Sequence, residues 1–175
     1  MSDYPWYAVV EGVNLQQGDL LDSCPILIPS VNILDTTEGN QYELDGYIQE
    51  FNVVVMSQSC DLEQEKLDLG LVCPYWSLEE FSQENDYFKS RKGREDLRRG
   101  NIPGYHVLRR CELSGWESDT HVVDFRNVYS LPYPFVKSLA NKRSQRLRLL
   151  PPYREHLSQA FARFFMRVGL PVAID

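Results

Sequence analysis

Four consecutive apolar residues, Val53 to Met56, run straight into Ser57, Gln58, Ser59, Cys60 and Asp61. A short β-branched run of this kind predicts a strand buried on both faces, ending in a loop that presents polar side chains. Other strands are predicted around it. Trp6 to Val10 read as an opening strand. After the Gly18-Asp19 turn come Leu20 and Leu21, then Ile26 to Ile28 bracketed by Pro25 and Pro29. Proline in such a run places it at a sheet edge or a bulge. Loose alternation at Val31–Leu34 and Tyr42–Ile48, with Glu38-Gly39-Asn40 between, predicts a hairpin. The polar segment Glu63–Asp68 then leads to a strand at Leu69–Pro74.

At Ser77 the pattern changes. Ser77-Leu78-Glu79-Glu80 matches a capping box, and Leu78, Phe81, Phe88 and Leu97 stand among many charges before Gly100. One long or two short exposed helices are expected over about residues 78–99. Strand patterns return at Tyr105–Leu113, His121–Phe125 and Val128–Leu131, with a turn at Ser114-Gly115 and a stop marked by Pro132 and Pro134. Residues 137–148 hold five Lys or Arg and read as a short basic helix or loop. Pro151 and Pro152 precede an apolar stripe, Leu157, Ala160, Phe161, Phe164, Phe165 and Val168, at spacings of three and four, with Gly169 and Pro171 beyond. That pattern predicts an amphipathic C-terminal helix over about 152–168. Each of its three phenylalanines contributes about 1.5–3 kcal/mol when buried.

Composition narrows the class. The chain has 175 residues, 43% hydrophobic and 12% aromatic, enough for one domain, 1–175, with its own core and unlike a disordered chain. The start, MSDYPWYAVVEG, lacks a basic region and a long apolar run, and no window approaches the ~18 apolar residues of a membrane span, so no membrane partner is expected and a cytoplasmic location is. Cys24, Cys60, Cys73 and Cys111 are scattered singly and read as reduced thiols. Without close ligand pairs, neither a metal nor another cofactor is expected. The net charge of −7 hides a split: residues 1–88 hold 17 acids against Lys66 alone, net −16, and residues 89–175 hold 17 bases against 8 acids, net +9. Such a split is either a basic face for an anionic partner or two halves that attract each other within one fold.

The order of four pieces, Gly18-Asp19, Val53–Ser57, Val72-Cys73-Pro74 and Val123–Val128, resembles the MazF/PemK-like toxin family over roughly residues 18–131. The resemblance implies an α+β fold: a strongly bent, mostly antiparallel SH3-like β-barrel with strands within about 5–75 and 104–131, a helical insertion and a long C-terminal helix. Many members of that family cut RNA. The family's phosphate-binding Arg position falls here on Phe51 and its Thr position on Trp76, with Ser77 adjacent, so a site rebuilt around Ser57, Gln58, Cys60 and Asp61 is expected. The chain also looks like uncharacterised bacterial proteins with an SQxCD-type motif.

Three kinds of chemistry stay open. Cys60 beside Asp61 could be a nucleophile with His106 or His121 as its base; alternatively Asp61 caps a turn and Cys60 is a small buried hydrophobe. Ser57, Gln58, Ser59 and Ser77 line a site or satisfy backbone groups at strand ends. Arg94, Arg98, Arg99, Lys142, Arg143 and Arg146, interleaved with Tyr105, Trp116, Tyr129 and Tyr133, are candidates for a nucleic-acid surface. The functions to separate are an RNA-related protein in a toxin or phage-defence setting, a non-catalytic module with a protein partner, and a Cys-dependent hydrolase or transferase. RNA and a protein are the candidate partners, and a homodimer is an open alternative to a monomer.

Overall fold

The computed structural model describes residues 4–33 and 44–166. In chain order its elements are β1 (Tyr7–Glu11), β2 (Leu20–Ile33), β3 (Leu44–Val55), α1 (Ser59–Glu63), β4 (Leu69–Ser77), α2 (Leu78–Gln83), α3 (Asp86–Lys89), α4 (Arg91–Arg98), β5 (Tyr105–Leu108), β6 (His121–Asp124), β7 (Tyr129–Pro132), α5 (Tyr133–Lys142), β8 (Gln145–Leu149) and α6 (Tyr153–Phe165). Every strand pair is antiparallel, so the fold mixes helices with antiparallel sheets. The Glu38–Asn40 turn, and the Val168, Gly169 and Pro171 end of the C-terminal pattern, lie outside the described residues.

The organising strand is β4. Its first part, Leu69–Val72, pairs with β7; Val72–Pro74 pair with β3; Tyr75–Ser77 pair with β6. The result is a sheet in the order β2-β3-β4-β6-β5, with β7 also on β4, beside a separate β1–β8 ribbon. The described strands form no closed barrel. Gly18 and Asp19 join the two sheets. Leu149 N–H donates to Gly18 O at 3.0 Å, while Gly18 N–H donates to Val55 O and Val55 N–H to Asp19 O, each at 2.9 Å. Gly18 has φ +87°, and a Cβ there would lie 3.0 Å from Leu149 Cβ, so both backbone conformation and close approach select glycine.

Strand alternation explains the layers. Val54 and Cys73 face a core that includes Tyr7, Leu108, Val123, Phe125, Leu149 and Leu157, with Phe161 and Phe164 of α6 packed against it. Val53, Val55 and Val72 face the opposite side, against Leu62 of α1 and Val136, Leu139 and Ala140 of α5. Beyond the core, Phe165 is 55% exposed, so two of the three phenylalanines predicted for this helix, not three, pack inward. A third cluster, Phe88, Leu97, Tyr105 and Val122, seats the helical insertion on β5 and β6.

Several predicted elements differ in detail. The insertion has three helices, because Asn85 and Ser90 each start a new one: Asn85 accepts from Tyr87 N–H and Ser90 from Gly93 N–H. The first is capped by Ser77 and Glu80 in the predicted capping box. β4 continues past Pro74 to Ser77, whereas β5 stops at Leu108. Residues 133–142 form α5, with proline in its first turn, and 145–149 form a strand instead of a basic loop. β2 is an edge strand, with register breaks at Leu21/Cys24 and Pro29/Ile33.

Candidate functional site

The SQSCD segment is a tightly bonded corner ending in a helical turn. Ser57 is buried, and its Oγ accepts from Leu71 N–H at 2.8 Å. Ser59 Oγ accepts from Gln17 N–H at 3.1 Å, and Gln17 Nε2 donates to Met56 O at 2.8 Å. These hydroxyls therefore satisfy backbone donors. Gln58 occupies the N-cap of α1 without a side-chain cap bond. Cys60 is exposed, and its Sγ lies 3.8 Å from both Gln58 Oε1 and Asp61 Oδ1, its only partners among the described residues.

Neither histidine joins that corner. Ser57 bonds at Leu71, but His121 pairs with Ser77, six residues further along β4, about 20 Å at the usual strand rise. His106, on β5, pairs with Val123 of β6 and so lies one strand further out. A Cys60–His dyad is not assembled. Ser77 is engaged as a helix cap, accepting from Glu80 N–H at 3.1 Å and donating to Glu80 Oε2 at 2.8 Å. The hydroxyl's bond, with a second from Ser77 N–H at 3.0 Å, holds the Glu80 carboxyl below its ordinary range. Phe51, at the position where the resembled family carries its Arg, packs its ring 5.5 Å from that of Tyr129.

The basic candidates separate into three places. Arg146 is 2% exposed in its side chain and donates to Asp19 Oδ2 (2.7 Å), Gly12 O (2.6 Å) and Asn14 O (2.7 Å); its guanidinium is engaged inside the fold. Lys142 and Arg143 stand exposed at the end of α5, on the opposite side of the sheet from α6. Arg94, Arg98 and Arg99 gather on α4, whose Leu97 and Gly93 turn inward and leave its cations outside.

There α4, β5 and α6 enclose a cleft of about 510 Å³, with Arg98 and Arg99 on one wall, His156, Gln159 and Arg163 on the other, and His106 among its lining residues. Arg99 pairs with Glu95 at 2.5 Å, while Arg98 and Arg163 make no ion pair or hydrogen bond among the described residues. Arg98 also borders a depression with Lys89, Arg91, Arg94 and Glu95, and another with Trp6, Arg109 and Arg110. It is the residue common to all three. Burial, with a smaller contribution from His156, pushes the pKa of His106 down to about 4, so its ring is neutral at pH 7. A lining of exposed guanidinium groups around a neutral imidazole suits an anion that spans several cations.

Sequence reasoning did not single out Arg163, Arg109, Arg110 or the cleft role of His156. The available signals were an arginine on the polar side of the final helix and an Arg-Arg pair where β5 ends. Among the described residues, no group of three or more His, Cys, Asp or Glu could hold a metal ion, and no helix is long and apolar enough to cross a membrane. No known family model matches the chain, and no curated protein matches it.

Proposed function

We propose that the protein binds RNA through the cleft between α4 and α6, on a scaffold related to the SH3-like barrels of the MazF/PemK-like family. The observation that carries this reading is Arg98, exposed and without a carboxylate partner among the described residues, shared by three adjoining basic depressions and facing Arg163 across one of them. In a chain of net charge −7, this concentration of exposed cations, with Arg98 and Arg163 unpaired among the described residues and Arg99 and Arg110 held in surface pairs with Glu95 and Glu112, is what a phosphate backbone selects. The family relationship is supported by adjacency: Gly18-Asp19 bonds to Val55, Val53 and Val54 pair with Pro74 and Cys73, and Tyr75 of the same strand pairs with Val123. The cations lie away from the Cys60 corner, which favours binding over cleavage at that corner.

The test is fluorescence anisotropy of a labelled single-stranded RNA between about 50 and 200 mM salt, with wild type beside Arg98→Ala/Arg163→Ala and Cys60→Ala. If Arg98, Arg99 and Arg163 each neutralise a phosphate, the log–log salt slope is about −2, and the double variant reduces its magnitude by about 1.4. Cys60→Ala binds as wild type does. Unchanged affinity and slope in the double variant would sink the proposal.

One observation favours a second reading, a protein-interaction module. Beyond Ile26, Ile28 still packs against the core on one face of β2, while on the other the paired residues Leu27 and Ile48 are 67% and 70% exposed. A protein partner held there, lost in Leu27→Lys/Ile48→Lys while RNA binding is absent, would favour this reading.

A further inference from the structure

A separate cavity of about 200 Å³ opens between the β1–β8 ribbon and the β4–β6 pairing, lined by Tyr7, Asp22, Tyr75, Trp116, Glu117 and His121 among others. Its aromatic walls are fixed. Tyr7 and Tyr75 are buried, and the Tyr75 and His121 rings meet edge to face at 5.1 Å. Its two tyrosine hydroxyls are already used: Tyr75 OH donates to Asp22 Oδ1 at 2.8 Å and Tyr7 OH to Arg109 O at 2.5 Å.

The formal charge along the lining is negative, from Asp22 and Glu117. Asp22 and Glu117 stand exposed at the mouth, and neither makes an ion pair among the described residues. His121 Nδ1 is buried with no hydrogen-bond partner. Burial lowers the pKa of His121 against the opposing pull of Asp22, Asp119 and Glu80, so at neutral pH the ring is uncharged and Nδ1 can accept. The charges that bear on this ring are all acidic.

The backbone is shaped to build this arrangement. β2 breaks register between Leu21 and Cys24, and Ser23 there has φ +48°, with its N–H held by Asn52 Oδ1 at 3.0 Å. A bulge re-aims a side chain, and here Asp22, next to the left-handed serine, reaches Tyr75. An αL serine persists only where its surroundings determine it.

We propose that this cavity binds a small organic cation, an alkylammonium or alkylguanidinium group, between its aromatic walls, with Asp22 and Glu117 balancing the charge and His121 Nδ1 accepting an N–H. Carboxylates beside aromatic faces are the chemistry that captures such cations. The volume lies below the ~300–1,000 Å³ of sites for drug-sized ligands, so it suits a single side chain or a small amine. The group arrives either as a free metabolite-sized cation or as a Lys or Arg side chain of a partner.

Titrations of the full chain with butylammonium and ethylguanidinium chloride, followed by NMR of the His121 ring and the Trp116 indole, test it. N-ethylurea serves as the neutral isostere and propionate as the anion. Saturable shifts with the cations alone are expected, weakened about tenfold or more in Asp22→Asn, as for loss of a charge-assisted contact. Glu117→Gln, altered at an exposed position, weakens binding likewise and covers the case in which Asp22→Asn misfolds. Tighter binding of an arginine-containing peptide than of ethylguanidinium assigns the partner source, and the reverse order assigns the free cation. Equal binding of N-ethylurea, or no saturable shift with either cation, overturns the proposal.

Discussion

Replacing Asp19 by Asn tests the joint between the two sheets. Asp19 is fully buried, and its carboxylate accepts from Arg146 Nε at 2.7 Å, from Arg148 through Nε and through Nη2 (2.9 Å), and from Gln16 N–H at 3.1 Å. The amide keeps the shape but removes the charge, and its NH₂ points a donor at donors. Arg146, 2% exposed in its side chain, is then left charged with no carboxylate beside it, its partners being neutral oxygens such as the carbonyls of Gly12 and Asn14. Removing one partner of a buried pair costs about 3–5 kcal/mol. At about 2–4 °C per kcal/mol for a chain of this length, Asp19→Asn lowers Tm by about 6–20 °C.

The assay is urea unfolding followed by circular dichroism at pH 7, with Arg146→Met and the double variant completing a cycle. Because Arg146→Met removes the stranded charge, the double variant is less destabilised than the sum of the singles, by about 1 kcal/mol or more. An Asp19→Asn cost below about 1 kcal/mol, or strict additivity, refutes the view that this carboxylate holds the ribbon to the sheet.

Two other outcomes follow from burial. His106 titrates at about 4 when folded against an ordinary 6.5, so the unfolded chain takes up its proton first as pH falls. Its contribution to stability is therefore complete above about pH 6.5 and is lost towards pH 4, by about 3 kcal/mol, and His106→Phe flattens this limb of the stability–pH curve; identical limbs in the two proteins would contradict it. Among the four cysteines, Cys60 alone is exposed, while burial pushes the Cys24 and Cys73 thiols up to about 11 and 12. An Ellman titration of native protein should thus show one fast equivalent, absent in Cys60→Ser, and a second fast thiol would refute the packing of the core.

The strands that carry the core were legible because their patterns are strong: Val53 to Met56 are buried, and Val53, Val54 and Val55 alternate between two cores. The capping box at Ser77 was equally direct. What escaped was context. Ser57 and Ser59 read as site residues because they are polar at a strand end, yet the backbone donors they satisfy come from Leu71 and Gln17, 14 and 42 positions away. Cys60 and the two histidines looked combinable until the pairing of β4 placed them at different ends. The basic cleft needs α4 and α6 side by side, a contact between residues nearly 60 positions apart that no local period encodes.

The charge split has a physical resolution in this fold. Arg146 to Leu149 alternate polar and apolar residues, which is the period of a strand. Arg146 and Arg148, two positions apart, must then share a face, and both converge on Asp19 while Leu147 and Leu149 enter the core. Lys137 meets Glu65 in the same manner. These contacts join basic residues of the second half to acids of the first. The cations of α4 pair with no acid of the first half among the described residues: Arg99 takes Glu95 of its own helix, and Arg98 shares its clefts with Arg109 and Arg110, just past β5, and with Arg163 of α6. One sequence asymmetry thus produces both an internal clamp and an external basic surface. Charge count along the chain cannot separate the two; strand period against helix face can.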